Sequence, residues 1–332
     1  NGKNQSSTSA WVIGRVVDIV LDENHPRFTE VGEWNGVGTV FIEIVNSSNS
    51  GTINFAKPLY PNIKSYPIIN ELVSCFNSPT PTSNSKTYKH QYYYSNILSL
   101  WNHPHHNASP NPRIFDNSTE SKIDYQQVEG GAVKRTTDTQ TEINLNSPSN
   151  PSQNTFVEKT NIHPLMPFMG DSMYEGRFGN SIRLGSTSKS NSIYKNNWSK
   201  EGENGDPITI LRNGQPTNTS NEGWIPLTED MNKDLSSIYL TSTQKLPIEQ
   251  PLEGKFNMFT PNSRPLTPSS FKLPQILLNS DRILINAKKD SVLIGAEKSI
   301  NLSANEYVNI NSSNLYVDDK NVKLGSIDAT EP

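Results

Sequence analysis

The sequence predicts an all-β protein, and three observations support this class. Short apolar runs with a period of two recur along the chain, Gly and Pro fall between them, and no segment carries a helical period. Hydrophobic residues make up 33% of the 332 positions and charged residues 19%, both below the average for soluble domains. Asn, Ser and Thr fill the difference, as is common in β-rich assemblies with many turns.

Residues 1–102 are predicted to form an OB-fold barrel. Apolar segments with strand character begin at Trp11, Gly38, Gly51, Ile68 and Tyr92. Five strands within about 90 residues, separated by Gly and Pro, fit a small Greek-key barrel. The lone Cys75 lies in the fourth segment and is expected to be buried there, and a single cysteine excludes an intrachain disulfide.

The next two ranges differ in character. Residues 103–162 are rich in Pro, Asn, Ser and Thr and lack apolar runs, which predicts an extended linker or insertion. Residues 163–270 are predicted to be a middle β-rich domain. Its strands are expected on either side of Gly176 and Gly179, from Pro207 to an Asn-Gly turn, and from Ser236.

Residues 271–332 carry the most regular pattern of the chain. Short runs recur every seven to nine residues, and each has an aliphatic residue at its first and third positions. This alternation predicts strands that are buried on one face. The residues expected to point inward are Ile283, Ile285, Val292, Ile294, Ile300, Leu302, Val308, Ile310, Leu315, Val317, Val322 and Leu324.

One copy of this C-terminal ribbon cannot cover its own apolar face. A single-chain solenoid with three runs per coil would have about two coils, fewer than the roughly three repeats that such a stack needs. Three identical chains winding together would bury every inward residue. The pattern therefore favours an intertwined homotrimeric β-helix, with a flat strand meander and a single-chain β-helix as alternatives.

Candidate chemistry is sparse, and no catalytic, cofactor or metal residue is predicted. His103, His105 and His106 form the densest group of potential metal ligands, but no Cys or carboxylate in that motif completes a site. A polar loop or subunit contact is the favoured interpretation of these histidines. Three adjacent carboxylate pairs are interpreted as solvated surface: Asp22 and Glu23, Glu229 and Asp230, Asp318 and Asp319.

Composition also bears on partners. The formal net charge is −4, which does not favour nucleic acid, and Tyr92, Tyr93, Tyr94 and Trp101 are interpreted as barrel core or subunit contacts. No apolar run is long enough to span a bilayer, and the N-terminus has no signal-peptide core. No nucleophile elbow, phosphate-binding loop or dinucleotide fingerprint occurs.

Several motifs resemble the central spike and baseplate hub proteins of contractile phage tails. The segments starting at Gly14 (GRVVD), Ala56 (AKPLYP) and Pro67 (PIINELV) are similar to the N-terminal OB domain of such spikes, a module that also occurs in type VI secretion spikes. The segments from Tyr174 and Gly205 resemble baseplate proteins of large myoviruses. The C-terminal repeats are similar to the triple-stranded β-helix of these spikes.

The resemblance implies a homotrimeric spike in the tail baseplate of a virion or in a phage-derived injection device. Its OB domains would dock on a hub ring beneath the tail tube, and sheath contraction would drive its β-helix through the host outer membrane. The lysozyme domain of one such spike has no counterpart in residues 103–270, so no hydrolase activity is implied. The family's tip binds metal through a His-x-His pattern, but no His follows His163. The tip would then belong to a separate protein, or the chain is incomplete.

Two other functions are consistent with a trimer. One is a tailspike that cleaves host polysaccharide, for which the predicted runs are too few to build a long β-helix with a cleft. The other is a receptor-binding fibre without cleavage.

Overall fold

The structure is a computed structural model that describes residues 11–45, 51–80, 89–98, 106–107, 162–187, 198, 205–216, 226–249, 265–318 and 322. The chain divides into two compact units, Asn1–Thr160 and Asn161–Pro332. Regular structure in these ranges is β-strand, apart from a 3-10 turn at Glu33–Gly36. The predicted all-β class is confirmed. Of the predicted linker, only residues 106, 107 and 162 are described, so its conformation stays a prediction.

The first unit contains a closed five-stranded barrel. Its strands are β1 (Trp11–Ile19), β2 (Val40–Ile44), β3 (Ile53–Pro58), β4 (Leu72–Thr80) and β5 (Lys89–Ile97). Around the barrel they are ordered β1-β2-β3-β5-β4, and β4 closes on β1. Neighbours are antiparallel except for β3 and β5, which are parallel. The barrel is compatible with the predicted OB fold.

The barrel core comes from inward residues of all five strands. It contains Val16, Ile19, Val40, Ile42, Ala56, Val73, Cys75 and Tyr94. The Tyr94 hydroxyl donates a hydrogen bond to the Gly38 carbonyl oxygen at 2.8 Å, so this buried phenol is satisfied. Cys75 is fully buried, as expected, and burial raises the pKa of its thiol to about 12.

Gly14 allows β1 to approach its neighbours closely. A Cβ atom at this position would lie 2.9 Å from Ile42 Cδ1 and 3.2 Å from Cys75 Sγ. Close-packed interiors do not accommodate atoms at such distances without moving the neighbours. The glycine is therefore a packing requirement of the barrel.

The second unit is built on an antiparallel five-stranded sheet. Its strands are β6 (Ser172–Glu175), β7 (Asn180–Ser186), β8 (Pro207–Asn213), β9 (Ser236–Thr241) and β10 (Gln275–Ser280), in the order β10-β9-β8-β7-β6. The strands predicted within residues 163–270 all occur. The fifth strand, β10, lies within residues 271–332, the range predicted for the spike, so the sheet extends into that range. Gly214 follows β8 with φ +88, as the predicted Asn-Gly turn requires.

The described residues of the C-terminal ribbon have no strand partner within one chain. Residues 281–318 contain no assigned strand or bridge. The predicted inward residues that the structure describes are 47–71% exposed, with Val292 the least and Leu302 the most exposed. A single-chain meander or β-helix needs intrachain pairing, which these residues lack. The intertwined β-helix requires other copies and stays a prediction, and Leu324 lies outside the described residues.

We predict that Gly14→Val destabilises the barrel, because the added side chain overlaps Ile42 and the Cys75 thiol. Overpacking of this kind costs about 1–3 kcal/mol. Cys75 is the only cysteine and is buried, so its rate of reaction with a thiol reagent measures barrel opening. We expect that rate to rise about tenfold in the variant.

The control for this substitution is Thr52→Val, which places the same side chain at an exposed position just before β3. Its thiol reaction rate should equal that of the wild type. Equal rates for Gly14→Val and the wild type would contradict the close approach at Gly14.

Candidate functional site: an apolar assembly surface

The second sheet has an unusual inner face, because arginine side chains lie there among apolar ones. In β7 the buried residues are Ser181 and Arg183, while Ile182 and Leu184 point to the opposite side. In β8 the buried Arg212 follows Ile208 and Ile210 on the same face. Alternation along a strand permits only one of the two sets to face inward. The polar set is inward in β7, so the apolar set is left outside.

A buried ionic cluster satisfies the inward Arg183. Its Nε donates to Glu229 Oε1 at 2.7 Å, and its terminal nitrogens donate to Asp171 Oδ2 and to the Met166 carbonyl oxygen, the latter at 3.0 Å. Its guanidinium carbon lies 4.9 Å from the ring centroid of Trp198. Three acceptors and an aromatic face offset the cost of burying this charge.

The position of Glu229 corrects the sequence interpretation. We expected Glu229 to be solvated, but it is 1% exposed and paired with Arg183. That interpretation is wrong because a cation on a strand 46 residues away enters the same interior. By contrast, Asp22, Glu23 and Asp318 are exposed as expected, and Asp319 lies outside the described residues.

A second buried ion pair joins Arg212 and Asp234, with a separation of 3.6 Å between Nη1 and Oδ1. Burial raises the pKa of Asp234 to about 7, although Arg212 and the hydrogen bond from the Asp230 amide both lower it. Burial also raises the pKa of Glu175. Asp234 is buried and Glu175 is partly exposed, and both interact with Arg212, which faces inward from β8.

The outer face of the sheet consists of two rows of residues in register. One row contains Tyr174, Ile182, Leu211, Ile238 and Leu278, and the other contains Ser172, Leu184, Thr209, Leu240 and Ile276. Exposed fractions of the large apolar members run from 36% at Ile238 to 71% at Tyr174. We call these two rows the outer face. None of their members is Asp, Glu, Lys, Arg or His.

A groove connects the outer face to the ribbon. It has a volume of about 800 Å³, and its lining includes the first row, the charged Glu175 and Arg212, and the start of the ribbon at Arg282, Ile283 and Leu284. Ile283 and Leu284 are 52% and 84% exposed. Exposed apolar residues of the second unit therefore occur both on the sheet and at the start of the ribbon, and exposed apolar surface of this kind is typical of interaction sites.

The described residues form no candidate metal site. Within the described ranges there is no group of three or more His, Cys, Asp or Glu residues placed to hold a metal ion. His106 is described, whereas His103 and His105 lie outside the described residues, so the interpretation of that cluster stays a prediction. In the same ranges no helix has the length and apolar character needed to cross a membrane.

Comparison with known proteins adds no family. Protein-family models, curated protein sequences and solved structures all gave no match to this chain. The outer face, the ribbon and the barrel are therefore the features that bear on function.

We predict that Asp234 makes the second unit less stable as the pH rises. Its folded-state pKa of about 7 exceeds its ordinary value of 3.8. The folded state therefore binds the proton more tightly than the unfolded state does. The stabilisation that this proton provides is lost as the pH rises through about 7. Between about pH 5 and pH 8, the wild-type Tm should fall by roughly 4 °C more than that of Asp234→Asn, measured by scanning calorimetry.

The control for the pH dependence is Asp281→Asn, which removes an exposed carboxylate in the same unit. It should show the wild-type decrease in Tm. If Asp234→Asn and the wild type lose Tm equally over this range, Asp234 does not titrate there.

Proposed function

We propose that the protein is the homotrimeric central spike of a contractile injection machine, a structural component of a phage-type tail baseplate. The observation that carries the proposal is the ribbon, whose regularly spaced aliphatic side chains are exposed and whose described residues, 281–318, form no strand pairing in one chain. The order of barrel, sheet and ribbon along the chain supports it, because the resembled spikes place an OB domain before a triple-stranded β-helix.

Winding three ribbons together would pair the backbone of the exposed segment and bury its aliphatic side chains. Unpaired strand edges and large apolar surfaces are rare in soluble monomers, since both promote association. In a threefold winding, each run pairs with runs from both neighbouring copies, and the alternate residues point at the axis. The residues that would form this core begin with Ile283 and Ile285 and recur with the repeat.

Such a winding suits a mechanical role. One chain cannot peel away without breaking ladder hydrogen bonds on both of its sides, so unfolding is slow and the needle resists axial load. The barrel would dock on a hub ring under the tail tube, and the ribbon would meet the host outer membrane during contraction. A separate tip protein would complete the needle if the chain does not supply one.

The first test is the mass of the purified protein in solution, measured by light scattering beside an SDS gel of unheated sample. A mass near three times 37.0 kDa and resistance to SDS support the intertwined trimer. A monomer overturns it, because a single ribbon leaves its apolar residues in water.

A glycan-cleaving tailspike would give the same mass, so a second assay separates the two. Retaining or inverting hydrolysis needs two carboxyl groups held across an accessible cleft. Asp171 and Glu229 are both bonded to the buried Arg183 and do not border such a cleft. Incubation with surface polysaccharide should release no new reducing ends, and release of such ends would support the tailspike.

We predict that Val308→Asp abolishes the trimer. The substitution would place three carboxylates together in a dry core, and an unpaired buried charge costs several kcal/mol per chain. The trimer fraction at a fixed protein concentration, measured by light scattering, should fall at least about tenfold.

The matched control is Asn309→Asp, which introduces the same carboxylate one residue further along, on the opposite side of an alternating strand. It should assemble like the wild type. Normal assembly of Val308→Asp would refute the inward assignment of Val308.

A further inference from the structure

We infer that the outer face of the second sheet is a second interface between copies of this chain, so that three sheets pack around the axis on which the three ribbons wind. This inference rests on the proposed trimer and extends its contact surface beyond the ribbon. The partner it names is the outer face of another copy.

The sheet carries large apolar residues on both of its faces. Its inner face is covered within the same unit, where Trp198, Ile210, Met231, Tyr239 and Leu246 form a buried cluster. An antiparallel sheet with one solvated face normally carries polar residues on that face. Here the large residues of the outer face are Ile and Leu on four strands and Tyr on the fifth. The side-chain pattern is that of a sheet buried on both faces.

Chain connectivity identifies the occupant. Strand β10 ends at Ser280, and the first predicted inward residue of the ribbon is Ile283. Three residues span about 10 Å at most, a distance similar to the spacing of packed sheets. When three ribbons meet at an axis, each therefore brings its own β10 close to that axis. The exposed Ile276 and Leu278 of β10 are then the side chains that meet their counterparts in the other copies.

The chemistry of the outer face also fits a second copy. Neither row contains a charged side chain, so the face can meet itself without burying an unpaired charge. The charged residues that line the groove are Glu175, Arg212 and Arg282, and none of them belongs to either row. A nucleic acid or a charged peptide would find no complementary charge on the two rows.

The groove supports continuity between the two interfaces. Its lining includes Leu211, Ile238 and Leu278 of the sheet as well as Ile283 and Leu284 of the ribbon. An interface limited to the ribbon would leave one side of this groove in water. Extending the contact onto the sheet closes the groove and makes one apolar core from sheet to ribbon.

Thiol labelling of the native trimer tests this interface. Cys75 is buried and is the only native cysteine, so an introduced thiol reports its own surroundings. The probes are Ile276→Cys and Leu278→Cys, at positions that are 70% and 48% exposed in one chain. The control is Glu23→Cys, at an exposed position in the first unit. A maleimide reagent is added to each variant after light scattering has given its mass.

We expect both probes to react at least about tenfold more slowly than the control in trimers, because another copy would cover positions that are exposed in one chain. A trimer in which both probes react at the control rate overturns the sheet interface and leaves the ribbon trimer standing. A wild-type protein that is monomeric overturns the proposed function and this inference together. The two failures are therefore distinguished by the mass measurement.

Discussion

Apolar surface that a single copy cannot cover is the constraint on which the second half of this molecule depends. The barrel satisfies itself, since its strands close into a ring and every inward residue meets another. The ribbon does the opposite, because its described aliphatic side chains, from Ile283, Val292 and Ile300 onward, are exposed in one chain. In the trimer that we propose, an identical chain would supply a partner with the same repeat.

The buried ion pairs decide which face of the sheet is turned outward. A shift of one residue in register would turn Ile182 and Leu184 inward and expel Arg183. Arg183 is held inside by Asp171 and Glu229, so that shift would leave two carboxylates buried without their cation. The cost of breaking such a pair by removing one partner is about 3–5 kcal/mol. The cluster therefore selects the register that leaves the aliphatic residues outside.

The sequence predicted where the strands lie better than it predicted which side of each strand is buried. The barrel strands could be located because the breaks at Gly and Pro are clear and the apolar residues mark a single inner side. In β7, the alternation of Ser181-Ile-Arg-Leu located the strand, but hydrophobicity alone would turn Ile182 inward. The missing information was the partner of Arg183, which is 46 residues away in sequence. The available signal was an Arg between two aliphatic residues in one strand, which is a pattern expected where both faces of a sheet are covered.

The boundary between β10 and the ribbon likewise could not be predicted from the local sequence. Ile276 and Leu278 alternate as Ile283 and Ile285 do, so local pattern does not separate β10 from the repeats that follow it. The difference lies in pairing, since β10 hydrogen-bonds to β9 over six residue pairs and the described residues of the later runs have no strand partner in the chain. The shared pattern has a physical meaning if both segments face the same axis. The alternation would then continue through the end of β10 because the apolar core continues, while the hydrogen-bonding partner changes from a strand of the same chain to strands of its copies.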